Sequence, residues 1–312
     1  MSQPAIPFVQ RPVQQWQLRN RSLELGRRTL LMAIVNLTPD SFSDGGQFSS
    51  PQQAIHHAIH LLDSGADILD LGAESTRPGS HAGPKTPAAP PPTVDAHEEQ
   101  RRLLPVIEGI LRERPEAILS IDTYKAETAR AALDLGAQII NDVSGFLWDP
   151  AMAATVAATD AALVLMHTRG KPDEWRSLPA ISADNLLRHT IDGLRHSLQN
   201  AQESGIDPRR ILLDPGYGFG KAGDENYSLL RRQPELLGLG RPLLIGLSRK
   251  SFLGQSLATA AQGTPLPPAK RDNASLAAMV ATILAGASVV RVHNLAASLE
   301  AAQIADAILN SE

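Results

Sequence analysis

The chain of 312 residues contains no cysteine. This excludes disulfides, zinc-thiolate sites and a cysteine nucleophile, and it favours a reducing compartment such as the cytoplasm. The chain also lacks an excess of basic residues, because 29 Lys and Arg face 33 Asp and Glu, for a net charge of −4. An extended nucleic-acid-binding face is therefore not expected, whereas a local basic pocket for a small anion is compatible with this balance.

Long apolar segments are missing as well. No apolar run approaches the ~20 residues of a membrane span, and the N-terminus lacks the apolar stretch and cleavage site of a secretory signal. We therefore expect a cytoplasmic protein with neither a membrane nor a nucleic-acid partner. The length and an apolar content of 43% are sufficient for a sizeable hydrophobic core.

Short apolar runs alternate with longer amphipathic segments along the chain. The predicted strands are Leu30–Asn36, Ile68–Glu74, Ile118–Thr123, Gln138–Ser144, Ala162–His167, Ile211–Pro215, Pro242–Ser248 and Val289–His293. The predicted helices are Pro51–Ser64, Asp95–Arg114, Lys125–Leu135, Pro150–Thr159, Ala183–Ser204, Glu225–Arg232, Asp272–Ala285 and Ala296–Leu309. Eight strands, each followed by a helix, predict an α/β fold with one (β/α)8 TIM barrel domain over residues 1–312. A doubly wound open sheet gives the same local signals and is the alternative.

Two segments stand apart from this alternation. Residues 1–29 form an N-terminal extension, in which Trp16–Thr29 is predicted to be a hairpin that closes the bottom of the barrel, with Asn20 and Gly26 as turn residues. Residues 80–94, after the second strand, are rich in Pro, Ala and Gly and have no apolar periodicity. They predict a long exposed loop, interpreted as a tolerated surface insertion, with a substrate lid as the alternative.

Polar residues recur where the predicted strands end. They are Asn36, Asp70, Glu74, Asp122, Asn141, Asp142, His167, Asp214, Ser248, Arg249, Lys250, Arg291 and His293. Each of them alone is compatible with a helix cap or a turn. Because barrel enzymes build their active sites at the carboxyl ends of the strands, their joint occurrence predicts an active site at this face.

Two of these carboxylates end fully apolar runs. Asp122 and Asp214 each follow such a run, and a buried carboxylate needs a partner. A flat heterocycle with adjacent N–H donors, such as an aminopyrimidinone, is a suitable partner, and Asn141 and Lys250 would complete the donors and acceptors around it. The alternative is an internal ion pair with Lys250 or Arg291.

The last strand carries a candidate anion site. Arg291 and His293 are two residues apart, so their side chains lie on the same side of a strand. Arginine forms forked hydrogen bonds with phosphate oxygens, and the pair therefore predicts an anion pocket where barrels commonly bind phosphate. For His293 alone, an ordinary rim histidine is the alternative.

The glycine-rich segment 216–221 does not have the spacing of a Walker phosphate loop. We interpret it as a tight loop that gives a ligand close access to the backbone, with Phe219 available for apolar contact. GxGxxG after the first strand, HExxH and GxSxG are absent from the sequence, which excludes the common dinucleotide, zinc-protease and hydrolase motifs.

Seven motifs occur together and in order. They are NLTPDSFSDGG at 36–46, GAESTRPG at 72–79, SIDTYK at 120–125, INDVS at 140–144, LDPGYGFGK at 213–221, GLSRK at 246–250 and RVH at 291–293. With these motifs the chain resembles the dihydropteroate synthases, which are pterin-binding transferases of folate (tetrahydrofolate) biosynthesis, over nearly its whole length. The resemblance implies condensation of 6-hydroxymethyl-7,8-dihydropterin pyrophosphate with 4-aminobenzoate, which releases pyrophosphate and 7,8-dihydropteroate.

The resemblance also implies roles for individual residues. The pterin would be held by Asp122, Asn141, Met166, Asp214, Gly246 and Lys250. Pyrophosphate and 4-aminobenzoate would contact Thr76, Arg77, Pro78, Phe219, Ser248, Arg291 and His293. The residues expected to be catalytic are Asp40, Phe42, Arg77, Lys250, Arg291 and His293, and Asn36 would contact a bound Mg²⁺. The family is the target of sulfonamides, and a homodimer is expected, with the last two helices as a candidate interface.

Two features depart from the family pattern. The loop after Gly79 is longer than usual, and Asn294 stands where Asp commonly follows the histidine. Two alternative functions are also open. One is a catalytically silent pterin-binding paralogue, and the other is a pterin-dependent corrinoid methyltransferase, which would not need the motifs at 36–46 and 72–79.

Overall fold

The computed structural model describes residues 8–38, 50–74, 94–258 and 263–311. Eight parallel strands close into a barrel in which each strand pairs with the next along the chain and the last pairs with the first, which confirms the predicted (β/α)8 barrel. A separate antiparallel hairpin of two short strands precedes it. Within the described residues, no helix is long and apolar enough to cross a membrane.

The elements have the following bounds. The hairpin strands are β1 Gln14–Gln17 and β2 Ser22–Leu25, and the barrel strands are β3 Leu30–Asn36, β4 Ile68–Gly72, β5 Leu119–Asp122, β6 Ile139–Asp142, β7 Ala162–Met166, β8 Ile211–Asp214, β9 Leu243–Ile245 and β10 Ala287–Val292. The helices are α1 Pro51–Asp63, α2 Ala96–Glu113, α3 Ala126–Asp134, α4 Met152–Ala157, α5 Ala183–Glu203, α6 Asp224–Arg231, α7 Ser251–Ser256, α8 Asp272–Leu284 and α9 Leu295–Leu309.

Side-chain caps fix where several helices begin. The hydroxyl of Ser50 accepts a hydrogen bond from the backbone N–H of Gln53, and Pro51 occupies the first turn of α1. The carboxylate of Asp95 accepts from Glu98 N–H at 2.8 Å at the start of α2. Such caps satisfy backbone donors that have no partner inside the helix.

Two apolar cores lie on the two sides of the barrel wall. One fills the space between the strands and the surrounding helices. The other lies inside the barrel, where residues such as Met32 and Val164 pack against Trp16, Leu18 and Leu25 of the hairpin region. Trp16 is 1% exposed, and its indole N–H donates to Arg210 O at 2.9 Å. The predicted closure of the barrel bottom by the hairpin is thus confirmed.

Some predicted boundaries need correction. The hairpin turn contains Asn20, whereas Gly26 follows the second strand, where its φ of +103° suits a glycine. The first barrel strand was predicted to the residue, and the other barrel strands are mostly shorter than predicted because their polar ends have already turned away from the sheet. The six-residue helix α7 was not predicted. Residues 80–93 of the proline-rich segment lie outside the described residues.

Candidate active site

The strand register brings three predicted site residues to one level of the barrel. Asn36 of β3 pairs with Gly72 of β4, Gly72 pairs with Asp122 of β5, and Asp122 pairs with Asn141 of β6. A glycine at position 72 leaves room between the flanking side chains, since a Cβ there would lie 3.3 Å from Cβ of Asp122. The carboxyl ends of these strands therefore present a row of polar side chains at one rim.

Arg291 joins this row to a carboxylate in the barrel interior. Its Nε donates to Asp70 at 2.5 Å, and its Nη2 donates to Asp122 at 2.7 Å. Asp70 is fully buried and also accepts hydrogen bonds from Ser120 Oγ at 2.6 Å and from Asn141 Nδ2 at 3.3 and 3.4 Å. The sequence left two partners open for Asp122, a ligand with N–H donors or an internal ion pair, and the structure contains the ion pair with Arg291. The same guanidinium holds both Asp70 and Asp122 in place.

The two predicted pterin-binding carboxylates have raised pKa values. Burial raises the pKa of Asp122 to about 7, although the nearby charges of Arg291 and Lys250 act in the opposite direction. Burial likewise raises the pKa of Asp214 to about 6, against the hydrogen bond from the backbone N–H of Gly216 at 2.7 Å. Both carboxyl groups therefore change protonation close to neutral pH, where a ligand with N–H donors would favour the ionised forms.

Asp214 lies close to other predicted site residues. Met166 of β7 pairs with Asp214 of β8 in the strand register and is buried beside it. A Cβ added to Gly246 would lie 3.8 Å from Cβ of Arg291 and 4.0 Å from Oδ2 of Asp214. The structure thus brings these four residues together along β7 to β10, and Arg291 connects them with the row formed by β3 to β6.

Lys250 and Phe219 form the next part of the site. The ammonium of Lys250 lies 3.9 Å from the centre of the Phe219 ring, within the range of a cation–π contact. The same ring packs edge-on against Trp175 at 5.2 Å between ring centres. The electrostatic effect of Lys250 lowers the pKa of both Asp122 and Asp214. Lys250 and Arg291 are therefore both close enough to act electrostatically on the two predicted pterin-binding acids.

A second lysine, Lys221, is buried below the glycine-rich loop. Its Nζ donates to the carbonyl oxygens of Gly216 at 2.8 Å, His167 at 3.2 Å and Phe219 at 3.4 Å. Burial lowers its pKa to about 7, opposed by the charge of Asp214. This ammonium ties the loop after β8 to the end of β7, which fixes the position of Phe219.

His293 and Ser248 form a hydrogen-bonded pair between the ends of β9 and β10. The Nδ1 of His293 lies 2.9 Å from Oγ of Ser248, which also accepts from the backbone N–H of His293 at 3.2 Å. Arg291 and His293 therefore have different protein partners, although they are two residues apart. The structure brings Ser248 to the predicted anion site through His293.

An ion-pair cluster adjoins this rim. Lys125 Nζ lies 2.5 Å from Glu74 and 3.3 Å from the buried Glu99, whose carboxylate also accepts from Thr128 Oγ1 at 2.7 Å. Burial raises the pKa of Glu99 despite the charge of Lys125. This cluster connects the ends of β4 and β5 with helix α2.

The structure does not place every residue predicted for the site. Asp40, Phe42, Thr76, Arg77 and Pro78 lie outside the described residues. Conversely, the sequence prediction named Asp70 only among the polar residues at the strand ends, and it gave no role to Lys221. A lone acid in the apolar run ILDLG and a lysine at the end of a glycine-rich loop were the available signals.

Comparisons with known proteins agree with this geometry. A family model described as pterin binding enzyme matches residues 32–293. A dihydropteroate synthase from Synechocystis sp. is 40% identical over 283 residues, which cover 91% of this chain and 91% of the relative. The chain belongs to the dihydropteroate synthase family. The family resemblance predicted from the seven motifs is thus confirmed.

Solved structures of the dihydropteroate synthase family share the fold. The Xanthomonas albilineans dihydropteroate synthase with 4-aminobenzoic acid is 37% identical, has a TM-score of 0.81, and is matched over 96% of this chain and 100% of that chain. The Burkholderia cenocepacia enzyme complexed with 7,8-dihydropteroate is 35% identical, with a TM-score of 0.77 and coverage of 95% and 96%.

Proposed function

We propose that this chain is a dihydropteroate synthase, a transferase that joins 6-hydroxymethyl-7,8-dihydropterin pyrophosphate to 4-aminobenzoate and releases pyrophosphate. The observation that carries the proposal is the group of Asp122, Asn141, Asp214 and Lys250 at the carboxyl ends of the barrel strands, in a chain of this family. Carboxylates suit the N–H donors of a pterin ring, and the lysine and amide donors suit its oxygen and nitrogen acceptors.

The reaction makes particular demands on these residues. The carbon–oxygen bond at the pterin methylene breaks with its electron pair going to pyrophosphate, the aromatic amine then forms the carbon–nitrogen bond, and the amine loses a proton. The protein must neutralise the departing charge and keep water away from the cationic carbon. Arg291 supports this role, since its Nη1 makes no hydrogen bond to any described residue while Nε and Nη2 hold the two acids.

Magnesium is part of the proposal. Mg²⁺ typically uses one or two protein oxygens together with water and substrate phosphates. The described ranges contain no group of three His, Asp or Glu that could hold a metal. Pyrophosphate oxygens would supply most of the ligands in a magnesium site of this kind. Asn36 ends β3, and its side-chain amide has no hydrogen-bond partner among the described residues. It would hold the ion through its amide oxygen, and the ion would supply charge neutralisation to pyrophosphate.

The first experiment measures pyrophosphate release by the purified chain. We expect turnover that requires both substrates and Mg²⁺ and that a sulfonamide inhibits in competition with 4-aminobenzoate. Tight pterin binding without pyrophosphate release would instead favour a silent paralogue. Methyl transfer to a corrinoid, measured in parallel, tests the remaining alternative.

The raised pKa values of Asp122 and Asp214, about 7 and about 6, predict how pterin binding depends on pH. The bound ring favours the carboxylates, so binding should release protons and tighten as pH rises from 5.5 to 7.5, then level off. Ionisation of each carboxyl changes the pterin affinity by up to tenfold per pH unit below its pKa. We therefore expect the affinity to rise about 10- to 100-fold between pH 5.5 and pH 7.5.

Calorimetry in two buffers of different ionisation enthalpy checks this pH prediction, since it counts the released protons. The variant Asp214→Asn should bind more weakly and release fewer protons. Unchanged affinity between pH 5.5 and 7.5 would contradict the assignment of these carboxylates to the pterin.

We further propose a homodimer formed through the last two helices. Helices α8 and α9 pack against each other, and α9 presents Ile304 and Ile308 to solvent, 63% and 37% exposed. These two residues are four positions apart and lie on one face of the helix, where they give a second copy of the chain an apolar contact. Light scattering should give twice the mass of the chain, and a monomer at micromolar concentration would contradict the proposal.

A further inference from the structure

Arg249 has a backbone conformation that is unusual for a residue with a side chain. Its φ is +58°, in the left-handed region that glycine favours. For other residues this region brings Cβ too close to the backbone, and it persists where surrounding contacts hold it. Arg249 stands between Ser248 and Lys250, two residues of the candidate active site, so its conformation determines how both neighbours are directed.

Three residues around the start of helix α8 hold Arg249 in place. Its backbone N–H donates to Ser275 Oγ at 2.9 Å, and its carbonyl accepts from Arg271 Nη1 at 2.9 Å. Its guanidinium forms a forked pair with Asp272, with Nε to Oδ1 at 2.7 Å and Nη2 to Oδ2 at 3.0 Å. Of these contacts, the forked pair is the one that joins two charged groups through two parallel hydrogen bonds, which makes it the strongest restraint on the turn.

The consequences of the turn are visible on both sides of Arg249. Ser248 reaches His293, with 2.9 Å between Oγ and Nδ1. Lys250 lies over the ring of Phe219 at 3.9 Å. A different conformation at position 249 would reorient at least one of these side chains.

Asp272 also contacts the segment after β10. Its Oδ2 accepts from Nδ2 of Asn294 at 3.2 Å, and Asn294 directly follows His293. The side-chain oxygen of Asn294 in turn accepts from Ala297 N–H at 3.4 Å, at the start of α9. The amide of Asn294 can donate to the carboxylate, whereas an Asp there would place a second negative charge beside it. One carboxylate therefore connects the ends of β9 and β10.

We propose that Asp272 is a positioning residue for the active site. Through Arg249 it holds the turn that directs Ser248 and Lys250, and through Asn294 it holds the segment that carries His293. Among the described residues, its carboxylate accepts hydrogen bonds from Arg249 and Asn294, and it accepts none from a residue placed at the substrates. The proposal deepens the proposed synthase function and rests on it.

The test compares Asp272→Asn with a matched variant at the other end of the barrel. Asp67 forms a forked pair with Arg28, at 2.5 and 2.9 Å, beside the start of β3 and far from the carboxyl ends of the strands. Asp67→Asn therefore removes a similar pair without touching the site. We expect Asp272→Asn to lower kcat/KM by about 10- to 100-fold and to weaken pterin binding, because misplaced catalytic groups are costly. Asp67→Asn should leave both unchanged.

A second pair of variants separates the turn from general stability. Arg249→Ala removes the forked pair while keeping a Cβ in the left-handed region, whereas Arg249→Gly removes the pair and the steric cost together. We expect both to be impaired, with the glycine variant at least about threefold more active than the alanine variant. If Asp272→Asn does not fold, the comparison of the two Arg249 variants still tests whether the turn at Arg249 positions the active site.

Two results would overturn the proposal. One is a folded Asp272→Asn variant whose kcat/KM and pterin affinity equal those of Asp67→Asn, and the other is equal activity of the two Arg249 variants. Absence of pyrophosphate release by the unmodified chain would instead overturn the synthase function. Pterin affinity, measured by calorimetry, would still decide whether Asp272 positions Lys250.

Discussion

Replacement of Arg291 with alanine is expected to reduce pyrophosphate release about a hundredfold, which corresponds to ~3 kcal/mol of transition-state stabilisation. It is also expected to lower the free energy of unfolding by roughly 3 to 5 kcal/mol, since it breaks a buried ion pair from one side. The second effect follows from Asp70, which is 0% exposed and receives the Nε hydrogen bond of Arg291 at 2.5 Å. Without the guanidinium, Ser120 and Asn141 remain as its donors.

A double variant separates these two effects of Arg291. In Arg291→Ala with Asp70→Asn, no unpaired carboxylate is left at position 70, so most of the stability should return. Turnover should stay low, because the donor to pyrophosphate is still missing. Urea unfolding gives the stability, and pyrophosphate release gives the rate. Near-normal turnover of Arg291→Ala would contradict the proposed role of this side chain.

Arg28→Ala is the matched control for the loss of a guanidinium. Arg28 also forms a forked pair with an aspartate, but its side chain is 61% exposed. Exposed pairs contribute little because water and salt screen them, so the expected loss of stability is about 0 to 1 kcal/mol. A similar loss for Arg28→Ala and Arg291→Ala would show that burial of Asp70 does not determine the cost.

The fold could be predicted from the sequence because each barrel strand is covered on both faces. A run such as Leu30–Asn36 is then almost entirely apolar and differs from the amphipathic helix that follows. Helix α7 was missed because six residues, Ser251–Ser256, are too few for helical periodicity to appear. The helix also begins directly after Lys250, the last residue of the active-site motif GLSRK, so its first turn is not separated from that motif in the sequence.

The candidate site could be predicted in part. The strand ends carried Asp122, Asn141 and Asp214, and the barrel fold alone brings such residues to one rim. Asp70 gave a weaker signal, because its role depends on Arg291, which is 221 positions away in sequence. Asp272 likewise depends on Arg249, 23 positions earlier, in an ion pair that helical or strand periodicity does not report. Pairings of this kind are set by the tertiary fold.

The close approach of two backbone segments at Gly216 was also not visible in the sequence. The glycine-rich loop predicted a tight turn, but it did not show which glycine the turn requires. At Gly216, φ is +66°, and an added Cβ would lie 1.9 Å from the carbonyl oxygen of His167. Gly223 has a φ of +41° and no atom within 4 Å of an added Cβ. Substitutions at these two glycines therefore distinguish the cost of backbone strain alone, at Gly223, from the cost of strain together with steric overlap, at Gly216.

Gly216→Ala is accordingly expected to be far more damaging than Gly223→Ala. The control should lose about 1 to 3 kcal/mol of unfolding free energy, the usual cost of a non-glycine residue in a sparsely populated backbone conformation, since Gly223 has a φ of +41° and a ψ of −121°. Gly216→Ala must in addition push the loop away from the end of β7. We therefore expect its free energy of unfolding to fall by more than ~4 kcal/mol, as for other severe overlaps. Urea unfolding of both variants measures the difference, and equal losses would contradict it.

The same shift at Gly216 should reach the pterin site. The N–H of Gly216 donates to Asp214 at 2.7 Å, and Lys221 holds Gly216 O at 2.8 Å and His167 O at 3.2 Å. Moving residue 216 therefore releases a carboxylate assigned to the pterin. Any Gly216→Ala protein that folds should bind the pterin at least tenfold more weakly, the loss of about one charge-assisted hydrogen bond. A folded Gly216→Ala variant with unchanged pterin affinity would show that the position of Asp214 does not depend on the loop.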